Sequence, residues 1–284
     1  MDYTNPHALV DTAWLSANLG YPEVRVVDAT FFLPTVARDA NSEFEQCHIP
    51  GAVFFDIDAI ADRDTDLPHM LPDATTFGLE VGRLGISNAN HIIVYDVHGG
   101  CAAAARLWWT FRVFGHERVA VLNGGLPKWR RESHPTEAGT PTPKETPFEA
   151  RLNPAMVRGA NDLLINIASR AEQVIDARSA GRFAGIDPEP RPAKKAGHVP
   201  GSINQPFNDL MNPEAGVIRP ADQIAAAFNR AGVDRTRPIV TTCGSGVTAA
   251  FLSFCLYLVG VENAAVYDGS WAEWGNRDNT TVET

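Results

Sequence analysis

The segment that decides the fold is Thr241-Thr242-Cys243-Gly244-Ser245-Gly246-Val247-Thr248. A short apolar, β-branched run, 238–240, precedes it, and an apolar, helix-forming stretch, 249–259, follows it. This pattern predicts a buried strand, a glycine-rich turn and a buried helix. Gly244 and Gly246 let the backbone curl without Cβ clashes and turn its N–H groups inward. A concave loop of this kind at a helix N-terminus favours anions, so we predict a nucleophilic cysteine thiolate inside a ring of backbone donors.

The same cysteine has a simpler interpretation. A lone cysteine at the end of a strand is usually a small buried residue without chemistry. The glycine-flanked turn brings the functional and the packing interpretations of Cys243 to about equal weight. The rest of the chain has to decide between them.

The length, composition and net charge of the chain limit the classes of protein to which it can belong. The chain has 284 residues, of which 44% are hydrophobic and 20% charged, as in a soluble globular protein of two ordinary domains. The formal net charge of −10 argues against nucleic acid and anionic membranes as partners. No apolar run is long enough to span a membrane, and 1–20 lacks the features of a secretory signal.

The chain has four cysteines, Cys47, Cys101, Cys243 and Cys255. None forms a C-x-x-C pair, and they do not cluster with histidines at the spacing of metal ligands. A reducing, cytoplasmic compartment therefore fits best. We expect no metal and no organic cofactor.

The sequence repeats itself in order, at an offset near 145 to 150 residues. The matching segments are Val26-Val27-Asp28-Ala29 with Val174-Ile175-Asp176-Ala177, His48-Ile49-Pro50-Gly51 with His198-Val199-Pro200-Gly201, Arg83-Leu84-Gly85-Ile86 with Arg230-Ala231-Gly232-Val233, and Asn123-Gly124-Gly125 with Asp268-Gly269-Ser270. Two homologous halves explain this order.

Each half alternates short apolar runs with helical patterns. The predicted fold class is α/β, with two tandem domains, each a parallel β-sheet with helices on both faces. The predicted domains are 1–135 and 158–284, joined by a Pro- and Thr-rich linker, 136–157. Strands are predicted near 24–27, 53–54, 92–95 and 119–122, and helices over 75–84, 102–114 and 219–230.

The repeat also sorts candidate residues, because a feature present in both halves is more simply structural. His48 and His198 both precede Pro-Gly and are assigned to a structural turn. Cys243 lies in the second half only, which favours function. Cys101 follows its strand by several residues and is interpreted as inert packing, and the Trp108-Trp109 pair as core.

The tandem halves, the His-x-Pro-Gly in each, and the Cys-Gly-Ser-Gly-Val-Thr loop resemble the two-domain rhodanese-like sulfurtransferases. The resemblance covers about 9–274. Members that use thiosulfate typically carry Cys-Arg-Lys-Gly-Val-Thr, whose cations suit a dianion. Here Gly244 and Ser245 stand in those two places, as in the branch that uses 3-mercaptopyruvate. The resemblance implies that Gly244, Gly246, Val247 and Thr248 line the substrate site with their backbone.

Two further segments match this branch. The first, Gly181-Arg182-Phe183-Ala184-Gly185 with Pro188-Glu189-Pro190-Arg191, resembles its substrate-binding segment, which implies that Arg182 and Arg191 hold the carboxylate and carbonyl of mercaptopyruvate. A guanidinium fork suits a carboxylate. The alternative is two solvated surface arginines.

The second is Phe54-Phe55-Asp56-Ile57-Asp58 followed by Pro68-His69-Met70-Leu71-Pro72. The resemblance implies that Asp58, His69 and Ser245 form a hydrogen-bonded set beside the nucleophile, in the manner of a catalytic triad. Such a site would lie between the two halves. The alternative for His69 is a loop histidine without chemistry. One departure, His98-Gly99-Gly100-Cys101, leaves open whether the first-half loop is passive.

The resemblance therefore implies an enzyme that moves sulfur from 3-mercaptopyruvate through a Cys243 persulfide, with a thiol, thioredoxin or cyanide as acceptor. One alternative is a thiosulfate:cyanide sulfurtransferase. Another, from a different class, is a non-catalytic sulfur carrier or scaffold module.

Overall fold

The computed structural model describes residues 2–284, which form two α/β units, each built around a five-stranded parallel sheet. The first half contains β1 (Leu9–Val10), α1 (Thr12–Asn18), β2 (Val24–Asp28), α2 (Ala40–Gln46), β3 (Val53–Phe54), α3 (Ala74–Arg83), β4 (His91–Tyr95), α4 (Ala103–Val113), β5 (Val119–Leu122) and α5 (Gly125–Arg131). Its strand order is β1-β5-β4-β2-β3.

The second half repeats this plan and adds a hairpin. It contains β6 (Val157–Arg158), α6 (Ala160–Ser169), β7 (Gln173–Asp176), α7 (Ala180–Phe183), β8 (Ile203–Asn204), β9 (Met211–Asn212), β10 (Val217–Ile218), α8 (Ala221–Arg230), β11 (Ile239–Thr242), α9 (Val247–Leu258), β12 (Ala265–Tyr267) and α10 (Ser270–Trp274). The order β6-β12-β11-β7-β8 matches the first sheet strand for strand, and β9 and β10 pair antiparallel.

Both faces of each sheet are covered, which confirms the predicted fold class. Along β4, Ile92 and Val94 belong to one buried cluster while Ile93 and Tyr95 belong to another on the opposite face. Strands buried on both sides in this way read as continuous apolar runs. This explains why short uninterrupted apolar runs in the sequence located the central strands.

The predicted elements lie within one or two residues of the observed ones, with one informative difference. The helix predicted over 249–259 begins earlier, at Val247, and the preceding strand continues to Thr242. The cysteine loop is therefore only four residues long, 243–246, and the first amides of α9 belong to it.

The ladder register identifies equivalent positions in the two halves. Asp28 on β2 lies opposite Tyr95 on β4, and its repeat partner Asp176 on β7 lies opposite Thr242 on β11. The residue after each central strand is therefore Asp96 in the first half and Cys243 in the second. The sequence analysis assigned no role to Asp96.

The halves share one core through α4 and α9. The Trp108 ring on α4 packs edge-on against Phe254 on α9, with ring centres 4.7 Å apart. Trp108 and Trp109 are both buried, as predicted, although the first of them packs at the interface between the halves. The buried cluster that contains them runs through both units, so residues from the two halves meet across a tightly packed boundary.

The two Pro-Gly histidines are structural, as predicted. Nδ1 of His48 lies 2.7 Å from the carbonyl oxygen of Phe44 and its ring stacks on that phenylalanine. Nδ1 of His198 makes the same contact with Phe183 at 2.9 Å, again with ring stacking. Between the halves, residues 138–153 contain no helix or strand, yet Phe148 is buried against α3.

Candidate active site

Cys243 lies at the carboxyl end of β11 and its side chain is buried. Its amide donates to Oγ of Ser270 (3.1 Å), while its carbonyl accepts from the amide of Trp271 (3.0 Å). The first two residues of α10 thus hold the backbone of the cysteine loop in place. Within residues 2–284, no group accepts a hydrogen bond from the main-chain amides of 244–248. These amides remain free for a ligand or for a sulfur anion.

An arginine side chain packs closely against each of the two loop glycines. Gly246 has a left-handed backbone (φ +81°), and a Cβ there would lie 2.8 Å from Nη1 of Arg106. A Cβ on Gly244 would lie 2.7 Å from Nη2 of Arg182. The glycines therefore allow curvature and also admit two guanidinium groups against the loop backbone.

The loop forms part of a cleft of about 290 Å³ between the two halves. The first half contributes apolar residues, including Phe31, Phe32 and Leu33. The second half contributes the cysteine loop and a charged wall. Of the predicted site residues, the cleft is lined by Arg182, Arg191, Cys243, Gly244, Ser245, Val247 and Thr248. The arginines therefore belong to a cleft beside the cysteine, which argues against their being simple surface residues.

His69 and Asp58, from the long segment between β3 and α3, are in contact. Nδ1 of His69 lies 2.5 Å from Oδ1 of Asp58. Burial lowers the pKa of His69 below its ordinary value, and the charges of Arg191 and Arg106 lower it further, against the opposing effect of Asp58. Burial is the largest single influence on Asp58 and opposes its ionisation, but the hydrogen bond from His69 together with the nearby charges of His69, Arg191 and Arg63 leaves the pKa of this carboxyl lowered. The pair is therefore a neutral imidazole beside a carboxylate.

Arg191 lies between His69 and Ser245. Its Nη2 donates to Nε2 of His69 (3.0 Å), and its Nη1 donates to Oγ of Ser245 (3.3 Å). Acceptance at Nε2 places the imidazole proton on Nδ1, facing Asp58. The predicted set of Asp58, His69 and Ser245 is therefore linked through a guanidinium, in place of a direct contact between His69 and Ser245.

Arg182 lies on the opposite side of the loop, against Gly244. Its Nε donates to Oε2 of Glu189 (3.2 Å), and its Nη2 contacts the same oxygen. Oε1 of Glu189 accepts from Nη1 of Arg178 (2.7 Å). Glu189 therefore joins a predicted site residue to a fully buried arginine.

A second buried pair connects the halves directly behind the loop. Nη1 of Arg106 on α4 lies 2.6 Å from Oδ1 of Asp268 after β12. Nη2 of Arg106 donates to the carbonyl of His69 (2.6 Å), and Oδ2 of Asp268 accepts from the amide of Leu71 (2.9 Å). This ion pair holds the backbone around His69, whose φ of +58° is left-handed, against the second half.

The sequence analysis did not predict functional roles for Arg106, Arg178, Glu189 and Asp268. One signal was available: Arg106 is a charged residue inside the otherwise apolar run 101–109, and a buried charge requires a partner. Nothing in the pattern identified that partner, which lies in the other half. Within the described chain, 2–284, no cluster of histidine, cysteine, aspartate and glutamate is arranged to hold a metal.

The chain belongs to the rhodanese-like domain family, which matches residues 11–132 and 160–277. Among its curated relatives is the human 3-mercaptopyruvate sulfurtransferase, 43% identical over 272 residues, which are 94% of this chain and 91% of the relative. The mouse thiosulfate sulfurtransferase is 41% identical over 277 residues, 95% of this chain and 92% of the relative.

The fold of this chain also matches that of a solved structure from the family. The crystal structure of SseA, a 3-mercaptopyruvate sulfotransferase from Escherichia coli, superimposes with a TM-score of 0.84 at 38% identity. The match covers 94% of this chain and 99% of that one. The predicted resemblance is therefore confirmed over nearly the whole chain.

Proposed function

We propose that this protein transfers sulfur from 3-mercaptopyruvate to Cys243 and then to a second nucleophile. The observation that carries the proposal is a buried cysteine within a loop of free amides, at one wall of a cleft that also holds Arg182 and Arg191. The family relationship and the named relatives support the same activity.

In the first step the Cys243 thiolate attacks the sulfur of mercaptopyruvate. The carbon–sulfur bond breaks, its electron pair stays on carbon as the enolate of pyruvate, and protonation releases pyruvate. Cys243 is left as a persulfide, whose charge the amides of Gly244, Gly246, Val247 and Thr248 stabilise. In the second step a thiol, thioredoxin or cyanide takes the outer sulfur and restores the thiolate.

Substrate binding rearranges Arg191 in this scheme. The incoming carboxylate competes for the guanidinium that now contacts His69 and Ser245. Once Arg191 turns to the substrate, Nε2 of His69 is free to accept from the Ser245 hydroxyl, with Asp58 holding the proton on Nδ1. These three residues then exchange a proton with the substrate beside the reacting sulfur. Arg182 assists Arg191 in holding the carboxylate and carbonyl of the donor.

The identity of the acceptor and the compartment are part of the proposal. All four cysteines are free, which supports a reducing compartment such as the cytoplasm. Within residues 2–284, every helix falls short of the length and apolarity needed to cross a bilayer. Fractionation of cells that express the protein checks the compartment. Steady-state assays with thioredoxin, a small thiol and cyanide rank the acceptors.

Thiosulfate is a second candidate donor, because a relative of comparable identity is a thiosulfate sulfurtransferase. The loop lacks the two cations that suit a dianion, since positions 244 and 245 are Gly and Ser. We therefore expect a higher kcat/KM for mercaptopyruvate than for thiosulfate. Pyruvate release and thiocyanate formation, measured side by side, decide between the donors.

The proposed function is tested most directly by intact-mass spectrometry after incubation with mercaptopyruvate. We expect a gain of one sulfur atom, located on Cys243 by peptide mapping, and no gain in Cys243→Ser. The serine variant should retain its fold, because a hydroxyl occupies less space than a thiol. A protein that releases no pyruvate and gains no sulfur would contradict the enzymatic proposal and favour a carrier or scaffold role.

A further inference from the structure

Glu189 forms part of the charged wall of the cleft, next to the cysteine loop. It receives hydrogen bonds from Arg182 on one carboxylate oxygen and from Arg178 on the other. Its side chain is only 12% exposed. A Cβ on Gly244 would lie 4.0 Å from Oε2 of Glu189 and 2.7 Å from Nη2 of Arg182. A negative charge therefore stands within van der Waals reach of the loop that follows Cys243.

Arg178 holds this carboxylate in place. Nη2 of Arg178 lies 2.7 Å from Oδ2 of Asp176 and 2.8 Å from the carbonyl of Gly197, and its guanidinium stacks on Trp271 at 4.3 Å. Burial opposes the charge on Arg178, but Asp176 and Glu189 keep its pKa raised. With contacts on four sides, the Arg178 guanidinium is fixed in position. Glu189, which accepts a hydrogen bond from it, is therefore fixed as well.

Carboxylates offset part of the positive charge along this wall. Two carboxylates, Asp176 and Glu189, offset the two cations Arg178 and Arg182. Among the described residues, no carboxylate lies within ion-pair distance of Arg191, which contacts the neutral His69 and Ser245. Glu189 is therefore the carboxylate that lines the cleft beside three arginines, and it lies close to the loop.

We propose that Glu189 is a positioning and selectivity residue: it orients Arg182 toward the cysteine loop, and its charge disfavours dianionic sulfur donors such as thiosulfate relative to mercaptopyruvate. The proposal rests on the proposed function and adds a determinant of donor choice outside the loop. A dianion near Oε2 is repelled about twice as strongly as the mercaptopyruvate monoanion. Glu189 thus opposes thiosulfate even though two arginines line the same cleft.

The test compares kcat/KM for both donors in wild type, Glu189→Gln and Glu189→Asp. Glu189→Gln keeps the shape and removes the charge, so the thiosulfate-to-mercaptopyruvate ratio should rise about ten- to a hundredfold. The KM for mercaptopyruvate should rise severalfold with kcat little changed, because Arg182 is no longer oriented by an ion pair with residue 189. Glu189→Asp keeps the charge but shortens the reach, so it should raise this KM while leaving the donor ratio within about twofold.

A matched control is available in the same half. Glu172 accepts from Nη2 and Nε of Arg158 at 2.7 and 3.0 Å, at similar exposure, and neither residue lines the cleft. Glu172→Gln should leave the donor ratio unchanged. An unchanged ratio in a folded Glu189→Gln variant, with wild type active on mercaptopyruvate, would overturn the selectivity inference alone. A wild type without persulfide from either donor would instead refute the proposed function.

Discussion

The loops that follow β4 and β11 occupy equivalent places in the two halves, yet only the first loop has its amides occupied by a side-chain anion. In the first half, Oδ1 of Asp96 accepts from the amides of His98 and Gly100 at 2.8 Å, and Oδ2 accepts from Ala102 and Ala104. In the second half the equivalent residue is Cys243, and the amides that follow it have no acceptor among residues 2–284.

The residue that follows the central strand determines whether this loop is structural or catalytic. A carboxylate that wraps its own loop satisfies the amides permanently and closes the site. A cysteine has no carboxylate oxygens, and its single sulfur is a weak hydrogen-bond acceptor. The loop amides therefore stay available for the negative charge that develops on sulfur during transfer. We infer that a single residue type after the central strand accounts for much of the functional asymmetry between the halves.

The largest expected effect comes from giving the second loop the anion of the first. Cys243→Asp removes the nucleophile and supplies a carboxylate to the free amides. We expect sulfur transfer to fall by at least about a thousandfold, with a urea midpoint no lower than that of Cys243→Ser. Pyruvate release and urea unfolding measure the two effects. A midpoint well below that of the serine variant would show that the second loop cannot hold an internal carboxylate.

Removing the anion from the first loop should cost stability. Asp96→Ala leaves four amides without their buried acceptor, and each hydrogen bond to a charged group contributes about 1.5–3 kcal/mol. We expect the free energy of unfolding to fall by about 3 kcal/mol or more. Asp96→Asn, which keeps one acceptor oxygen, should fall between alanine and wild type. Equal stability of all three proteins would contradict a structural role for the first loop.

The fold and the nucleophile could be predicted because their signals are local. Apolar runs revealed the central strands, the internal repeat revealed the two halves, and the glycines around Cys243 revealed the loop. Asp96 was not recognised as the counterpart of Cys243, since the two residue types share no obvious chemistry. Only the registers of β2 with β4 and of β7 with β11 show that the two residues hold equivalent positions.

The supporting charges were missed for another reason. Arg106 and Asp268 lie in different halves, and Glu189 lies near the cysteine loop only because its partner Arg182, on α7, packs against Gly244. Such contacts depend on how the halves dock, which no local pattern encodes.

A smaller effect concerns protonation of His69, a first-half residue that is linked to the second-half loop through Arg191. Its pKa is lowered by burial and by the nearby arginines, and Asp58 raises it. If the neutral imidazole is the active form, kcat/KM should decline on acidification only below the ordinary pKa of 6.5. Asp58→Asn removes the group that raises the pKa, so the acidic limb should move to lower pH. A limb that moves to higher pH would contradict the assigned neutral form.

The smallest expected effect concerns Cys101, which lines the same cleft as Cys243. Its thiol donates to the carbonyl of His98 (3.0 Å), and burial, together with the charge of Asp96, raises its pKa well above the ordinary value. A thiol in this state is a poor nucleophile. Cys101→Ser preserves the hydrogen bond, so we expect kcat/KM for mercaptopyruvate to change by no more than about twofold. Peptide mapping should still find the transferred sulfur on Cys243 alone. If Cys101→Ser were as inactive as Cys243→Ser, or if sulfur accumulated on Cys101, the first-half loop would take part in transfer, and the contrast between an occupied and a free ring of amides would fail as the explanation of the asymmetry.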